Sequence, residues 1–227
     1  MLIHREEMRA SGYTLTYFDG KGRAEMIRMA LVLGGLEYKD VRVGFPEWPA
    51  LKPTLPLGMM PVLEVDGKIM SQTLAILRYV GRECGLYGKN SWEQAEVDCH
   101  LDTLYDIFVT HGRFIQEQDL EKKKKAMIAH RDEAVPKIVG IMEKALTDNS
   151  NGKGFLVGSS LTIADIALYS ILDYPQEVYG FTLDKFPKVA AHRKMIESMP
   201  KIASYFKTRP EDSLVSGFLL PQIEKCQ

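Results

Sequence analysis

The segment from Met59 to Val80 carries residue types that could hold a small peptide. Pro61 opens a strand, Asp66-Gly67 is a hairpin turn, and Gln72-Thr73 is the polar start of a helix. The first amides of a helix lack intrahelical partners, and the helix dipole favours an anion there. The segment therefore predicts a site that binds a small peptide by its backbone and its carboxylate.

The residues before this segment predict a βαβ unit. Tyr13 to Phe18 is β-branched and aromatic, and Glu37 to Val43 alternates as a second strand. Arg23 to Leu33 between them has helical spacing. Because the joints are short, the two strands are expected to be parallel. The proline-rich residues 45–58 are expected to be irregular, with a helical turn near Trp48.

The second half of the chain is predominantly helical in its pattern. Thr162 and Asp165 have the spacing of a capping box and predict a helix start. Helices are expected at 73–83, 92–117, 122–146, 166–172, 187–198 and 200–207.

The order βαβ, hairpin, helix is a thioredoxin-like arrangement, an α/β fold with a mixed four-stranded sheet (βαβ-ββα). We expect it to be followed by an all-α helical-bundle domain. The expected divisions are a polar leader at 1–12, the first domain at 13–84, a linker at 85–91, the helical domain at 92–210 and a tail at 211–227.

The net charge, the apolar runs and the cysteines of the chain limit the kinds of binding partner and the cellular setting that we expect. The 227 residues have a net charge of −1, so no global field attracts nucleic acid or an anionic membrane. No apolar run is long enough to span a membrane, and the first residues are too polar for a signal peptide. The cysteines, Cys84, Cys99 and Cys226, fit reduced thiols in a cytoplasmic protein better than a disulfide framework.

Four motifs in this order carry a family resemblance. They are Tyr-Phe-x-x-x-Gly-Arg-Ala-Glu at 17–25, Trp-Pro-x-Leu-Lys-Pro at 48–53, Met-Pro-Val-Leu-Glu-Val-Asp-Gly at 60–67 and Ser-Gln-Thr at 71–73. With them the chain resembles the cytosolic glutathione transferases over about 13–210, and within that family the sigma class. That class includes invertebrate detoxifying enzymes, glutathione-dependent prostaglandin D synthases and the S-crystallins of cephalopod lenses.

The resemblance implies a catalytic role for Tyr17. Its phenol would donate a hydrogen bond to the glutathione thiolate and lower the thiol pKa. Arg23, at the start of the next helix, would favour the thiolate or steer a polar co-substrate. The plainer interpretations are a core aromatic residue and a surface arginine.

The resemblance also implies a set of glutathione-binding residues. Met60-Pro61 would form a cis-proline turn, Gln72-Thr73 would hold the γ-glutamyl carboxylate, and Trp48 and Lys52 would contact the glycine end. Asp106 would reach the ligand of the other subunit of a homodimer, whereas its plainer interpretation is a solvated helix face. The full set is Tyr17, Phe18, Arg23, Trp48, Lys52, Met59, Met60, Pro61, Gln72, Thr73 and Asp106.

The expected pocket for a small hydrophobic electrophile contains Phe18, Tyr105, Phe108 and Arg113, with neighbours between Thr110 and Arg113. Prostaglandin D synthases carry an acidic residue where this chain has Tyr105 and an aromatic one where it has Arg113. The resemblance implies glutathione as a co-substrate and no other cofactor or metal. It leaves open a weakly active S-crystallin-like protein and a prostaglandin isomerase.

Overall fold

The computed structural model describes residues 12–149 and 151–211. The predicted polar leader at 1–12 and the predicted tail at 211–227 lie outside the described residues, apart from Gly12 and Glu211. The predicted domain limits, 13–84 and 92–210, stay predictions.

A four-stranded mixed sheet organises the first part of the chain. Its strands are β1 (Tyr13–Phe18), β2 (Tyr38–Val43), β3 (Val62–Val65) and β4 (Lys68–Ser71), in the spatial order β2-β1-β3-β4. Strands β1 and β2 are parallel, as the βαβ pattern predicts, while β3 runs antiparallel to both β1 and β4. In β1 every second side chain, including Leu15 and Tyr17, is buried. This confirms the predicted thioredoxin-like fold.

Three helices accompany the sheet: α1 (Glu25–Gly34), α2 (Trp48–Leu51) and α3 (Thr73–Glu83). A tight helical turn at Gly22–Ala24 precedes α1, so the regular helix begins two residues later than its spacing predicts. The irregular segment with one helical turn at Trp48 is confirmed, as is α3.

The second part of the described chain is helical. It contains α4 (Ser91–Gln116), α5 (Leu120–Ala129), α6 (Val135–Asp148), α7 (Ile163–Tyr179), α8 (Pro187–Ser198) and α9 (Pro200–Thr208). Helix α7 is buried along most of its length and packs against α1 and α4, which places it between the sheet domain and the other helices. The Thr162–Asp165 capping box at its start is confirmed.

The single helix predicted at 122–146 is interrupted. A π turn at His130–Ala134 separates α5 from α6, and the N–H of Val135 bonds to the carbonyl of His130. The cause is local, because Pro136 lacks the N–H that the next α-helical hydrogen bond needs.

Within the described ranges, no helix is both long enough and apolar enough to cross a membrane. The same ranges contain no group of three or more His, Cys, Asp or Glu side chains placed to hold a metal ion.

Candidate active site

Tyr17 lies near the carboxyl end of β1, where its side chain is only 7% exposed. The backbone N–H of Arg23 donates a hydrogen bond to the phenol oxygen at 3.2 Å. That oxygen therefore accepts from the chain itself and keeps its own O–H for another acceptor. Burial raises the pKa of Tyr17, against the lowering effect of the Arg23 amide and charge, so the phenol stays protonated at neutral pH.

The approach of the backbone to Tyr17 depends on Gly22. Its φ is +40°, and a Cβ at this position would lie 2.8 Å from the phenol oxygen. Glycine alone adopts this conformation readily and leaves that space open. The sequence motif includes this glycine, but only the folded chain reveals its contact with Tyr17.

The buried Arg28 holds the loop that precedes Arg23. Its guanidinium, 0% exposed, donates to the carbonyl of Gly20 at 2.8 Å and to Asp40 Oδ1 at 3.0 Å. Because two adjacent elements are fixed to one rigid cation, the loop presents the Arg23 amide to Tyr17 in a defined position.

The Arg23 side chain lies over aromatic rings. Its Cζ is 5.7 Å from the ring centroid of Tyr105 and 6.0 Å from that of Phe108, both on α4. These are cation–π distances. The Arg23 charge also acts on Tyr17, since it lowers the pKa of the phenol against the effect of burial.

A cavity of about 270 Å³ opens between the sheet domain and helices α4 and α7. Aromatic and aliphatic side chains dominate its walls, and Tyr17 and Arg23 supply polar groups from the sheet side. It is lined by Tyr17, Phe18, Gly22, Arg23, Phe45, Met60, Phe108, His111, Gly112, Ile115, Gln116 and Tyr174.

An aromatic wall connects Trp48 to this cavity. The Phe18 ring centroid lies 5.2 Å from that of Phe45 and 5.3 Å from that of Trp48. Lys52 is exposed in the turn that follows α2, and its side chain runs beside Gly58. Both expected contacts for the glycine end of glutathione therefore lie on the segment between β2 and β3.

The Met60-Pro61 peptide bond is cis, as the resemblance implies. Met60 is buried and lines the cavity, whereas Met59 is exposed and accepts a weak hydrogen bond from Gln72 Nε2 at 3.8 Å. The start of β3 and the start of α3 thus lie side by side, although the chain separates them by a hairpin.

Gln72 occupies the N-cap position of α3 with a φ of +77°, a strained conformation for a residue with a side chain. Its side chain makes no capping hydrogen bond. Thr73 is buried at the first helical position, and the buried Ser71 hydroxyl has no hydrogen-bond partner among the described residues. These amides and hydroxyls suit a carboxylate.

The expected residues on α4 separate into two groups. Phe108 lines the cavity, and Tyr105 contacts Arg23 without being among the lining residues. Asp106 is exposed, as is Asp102 one turn earlier, which pairs with Arg78 at 2.6 Å. The cross-subunit role of Asp106 stays a prediction.

Arg113 departs from its expected position. It lines a separate cavity of about 390 Å³ together with Thr110 and His130. The reason is helical geometry, since residues two positions apart, such as His111 and Arg113, point to different faces. Arg113 is therefore not a wall residue of the Tyr17 cavity.

His111, which lies within the predicted range from Thr110 to Arg113, lines the cavity where Arg113 does not. Its Nδ1 lies 3.3 Å from the Tyr179 hydroxyl, and burial, with His130 and Arg23 nearby, lowers its pKa to about 3. A signal existed in the sequence: Phe108, His111 and Ile115 follow i, i+3 and i+7 spacing and share one helix face. Tyr174 on α7 carried no comparable signal.

Two family models match this chain. "Glutathione S-transferase, N-terminal domain" matches residues 13–82, and "Glutathione S-transferase, C-terminal domain" matches residues 105–209.

Similar proteins include S-crystallin SL11 of Nototodarus sloanii, 35% identical over 87% of this chain and 96% of its own length. Glutathione S-transferase S1 of Drosophila melanogaster is 35% identical over 87% of this chain and 79% of its own. The structure of a prostaglandin synthase D of Nilaparvata lugens superimposes with a TM-score of 0.82 at 34% identity, covering 88% of this chain and 99% of that one.

The fold and the two matches define a protein of the glutathione S-transferase class. The chain belongs to the glutathione S-transferase family, and its relatives are consistent with the sigma class.

Proposed function

We propose that this protein is a sigma-class glutathione transferase that conjugates the glutathione thiolate to small hydrophobic electrophiles. The observation that carries the proposal is the Tyr17 phenol. It accepts from the Arg23 amide at 3.2 Å, stays protonated, and faces a largely apolar cavity.

The proposed chemistry is activation of a thiol by a hydrogen bond. A free thiol titrates near ~8.5, so only a few per cent is nucleophilic at neutral pH. A donor that stabilises the thiolate by roughly 1.4–2.8 kcal/mol lowers the thiol pKa by about one to two units. The Tyr17 O–H is this donor, and the Arg23 charge adds to its effect.

Glutathione acts as a co-substrate, without a further cofactor. In this proposal Met60 pairs with its backbone and Gln72-Thr73 bind the γ-glutamyl carboxylate. Trp48 and Lys52 contact its glycine end. Asp106 of one subunit reaches the ligand of the other, so the homodimer is the functional unit.

The electrophile occupies the cavity beyond the sulfur. A volume of about 270 Å³ is at the lower end of ligand pockets, which favours a compact substrate. Detoxification in the cytoplasm is the physiological setting that we propose for this activity.

Tyr17→Phe tests the catalytic role. Conjugation of a chlorodinitrobenzene, assayed below the pKa of the free thiol, should fall about 10- to 100-fold because the thiolate loses its donor. Calorimetry should show glutathione binding within about threefold of wild type, since one hydrogen bond among many is lost.

Tyr13→Phe is the matched control. Tyr13 is buried on the same face of β1 and outside the cavity lining, so this variant removes a hydroxyl without changing the site. Equal rates in wild type and Tyr17→Phe, with glutathione bound in both, would refute activation by Tyr17.

Two alternatives remain distinct proposals. Similarity to S-crystallin SL11 favours a weakly active structural protein, and then the wild type would bind glutathione without conjugating the chlorodinitrobenzene. Similarity to a prostaglandin synthase favours a glutathione-dependent isomerase, and formation of prostaglandin D₂ from the endoperoxide would support it. The departures at Tyr105 and Arg113 argue against the isomerase.

A further inference from the structure

His111 is a polar residue in an apolar part of the Tyr17 cavity, and the proposed mechanism does not use it. It lines the cavity with Phe108 and Ile115 from its own helix and Tyr174 from α7. Its imidazole ring is therefore placed on the side of the cavity where the electrophile would lie.

The His111 ring is held from several sides. Its centroid is 4.4 Å from the Tyr174 ring and 4.7 Å from the Phe114 ring, in edge-on contacts, and Nδ1 lies 3.3 Å from the Tyr179 hydroxyl. A polar group fixed in this way needs little reorganisation to bind a ligand.

The second ring nitrogen is unpaired. Among residues 12–149 and 151–211, Nε2 of His111 has no hydrogen-bond partner, and it is not fully enclosed, unlike Nε2 of His130. The low pKa of about 3 makes the imidazole neutral at physiological pH, so one nitrogen carries a proton and the other does not.

We propose that His111 is a specificity-determining residue, whose Nε2–H donates a hydrogen bond to an oxygen at the reacting end of the electrophile. In this proposal the Tyr179 hydroxyl is the donor and Nδ1 the acceptor of their 3.3 Å contact, so the ring proton lies on Nε2. The inference rests on the proposed transferase function and names the electrophiles that this cavity favours: conjugated ketones and aldehydes.

The step balances without a further reactant. The glutathione sulfur forms a bond to the β-carbon of the enone, and the C=C electron pair moves to give an enolate. Its oxygen accepts the hydrogen bond from His111, and the α-carbon then takes a proton from water. The thiol proton has already passed to solvent, so the product is the sum of the two reactants.

The test uses two electrophiles with the same phenylpropenyl frame. Benzalacetone carries the ketone oxygen, whereas cinnamyl chloride reacts by loss of chloride and has no oxygen. The measured quantity is the ratio of kcat/KM for the ketone to kcat/KM for the chloride.

Three variants of His111 distinguish the contributions of its two ring nitrogens. His111→Phe keeps the ring and removes both, His111→Asn keeps an amide near the Nδ1 position, and His111→Gln carries an amide to the Nε2 position. We expect the ratio to fall about 10- to 100-fold in His111→Phe and His111→Asn, and to stay within about threefold of wild type in His111→Gln.

An unchanged ratio in all three variants would overturn the role of His111. A fall in His111→Phe with no fall in His111→Asn would also overturn it, since the bond to Tyr179 alone would then matter. Failure of the proposed transferase function would give a different result, because the wild type would then conjugate neither electrophile.

Binding of the two finished conjugates supplies a readout without turnover. The glutathione conjugate of benzalacetone should lose affinity relative to S-cinnamylglutathione in His111→Phe and His111→Asn only. Equal losses for both conjugates would contradict the inference, whether or not the protein is a catalyst.

Discussion

At the scale of single residues, Gly22 controls the geometry around Tyr17. Its backbone conformation and its closeness to the phenol leave no room for a side chain. A residue that does no chemistry therefore decides where the Arg23 amide and the phenol meet.

Gly22→Ala should lower activity far more than stability. The left-handed backbone costs about 1–2 kcal/mol with alanine, and the added Cβ displaces the Tyr17 hydroxyl. Gly67→Ala is the control, because Gly67 has a φ of +78° but nothing within 4 Å of the place that a methyl group would take. Urea unfolding should show similar losses in both variants, and only Gly22→Ala should lose conjugation. Equal activities would contradict this role.

The sequence predicts the site residues unevenly. Tyr17, Arg23 and Gln72-Thr73 lie in short motifs that can be recognised from the sequence alone. The spacing of Phe108, His111 and Ile115 indicates a shared helix face, whereas the exclusion of Arg113 and the inclusion of Tyr174 depend on how α4 is rotated against α7. That rotation is set by packing between distant segments, which local pattern does not encode.

At the scale of elements, α4 packs against the π turn through a pair of histidines. The ring centroids of His111 and His130 are 5.7 Å apart, and His130 Nδ1 lies 2.9 Å from the Thr110 hydroxyl. The helices themselves were predictable from their periodicity, which does not reveal the π turn; Pro136 was the local signal of an interruption there.

The pair of histidines should make the fold sensitive to mild acid. Burial lowers the pKa of His130 to about 4, below its unfolded value of roughly 6.5. The unfolded chain then binds more protons between these values, so stability is full above pH ~6.5 and falls as the pH drops towards 4.

Urea unfolding at pH ~7.5 and pH ~5 measures this effect. Between the two pH values the free energy of unfolding of His130→Phe should fall by about 2 kcal/mol less than that of wild type, since the phenylalanine ring does not titrate. Because each protein is compared with itself, the lost Thr110 contact cancels. An identical acid loss in both proteins would contradict the assignment to His130.

At the scale of the whole molecule, a buried charge network connects the sheet domain to the end of α9. Glu25 on α1, 1% exposed, accepts from Arg209 Nη1 at 2.9 Å and from the Tyr205 hydroxyl at 3.1 Å, and it pairs with Arg28 at 3.3 Å. Since Arg28 also holds the loop beside Tyr17, the end of α9 is linked to the candidate site through two buried side chains.

Arg209→Met should destabilise the fold by about 2 kcal/mol, because it leaves the Glu25 carboxylate short of a partner in a buried place. Lys144→Met removes a cation from an exposed pair with Asp148, and its effect should stay within about 0.5 kcal/mol. Denaturant unfolding compares the two, and equal losses would show that the network carries no special stability.

The π turn at His130–Ala134 has a consequence for chain length. A π turn holds one residue more than the α-helical path between the same ends. Deleting a single residue there would let the backbone close an ordinary helix while α5 and α6 keep their present orientation relative to each other. An ordinary helix through all of the present residues would instead turn α5 by about 100° relative to α6, so the π turn accommodates an additional residue without turning either helix away from α4.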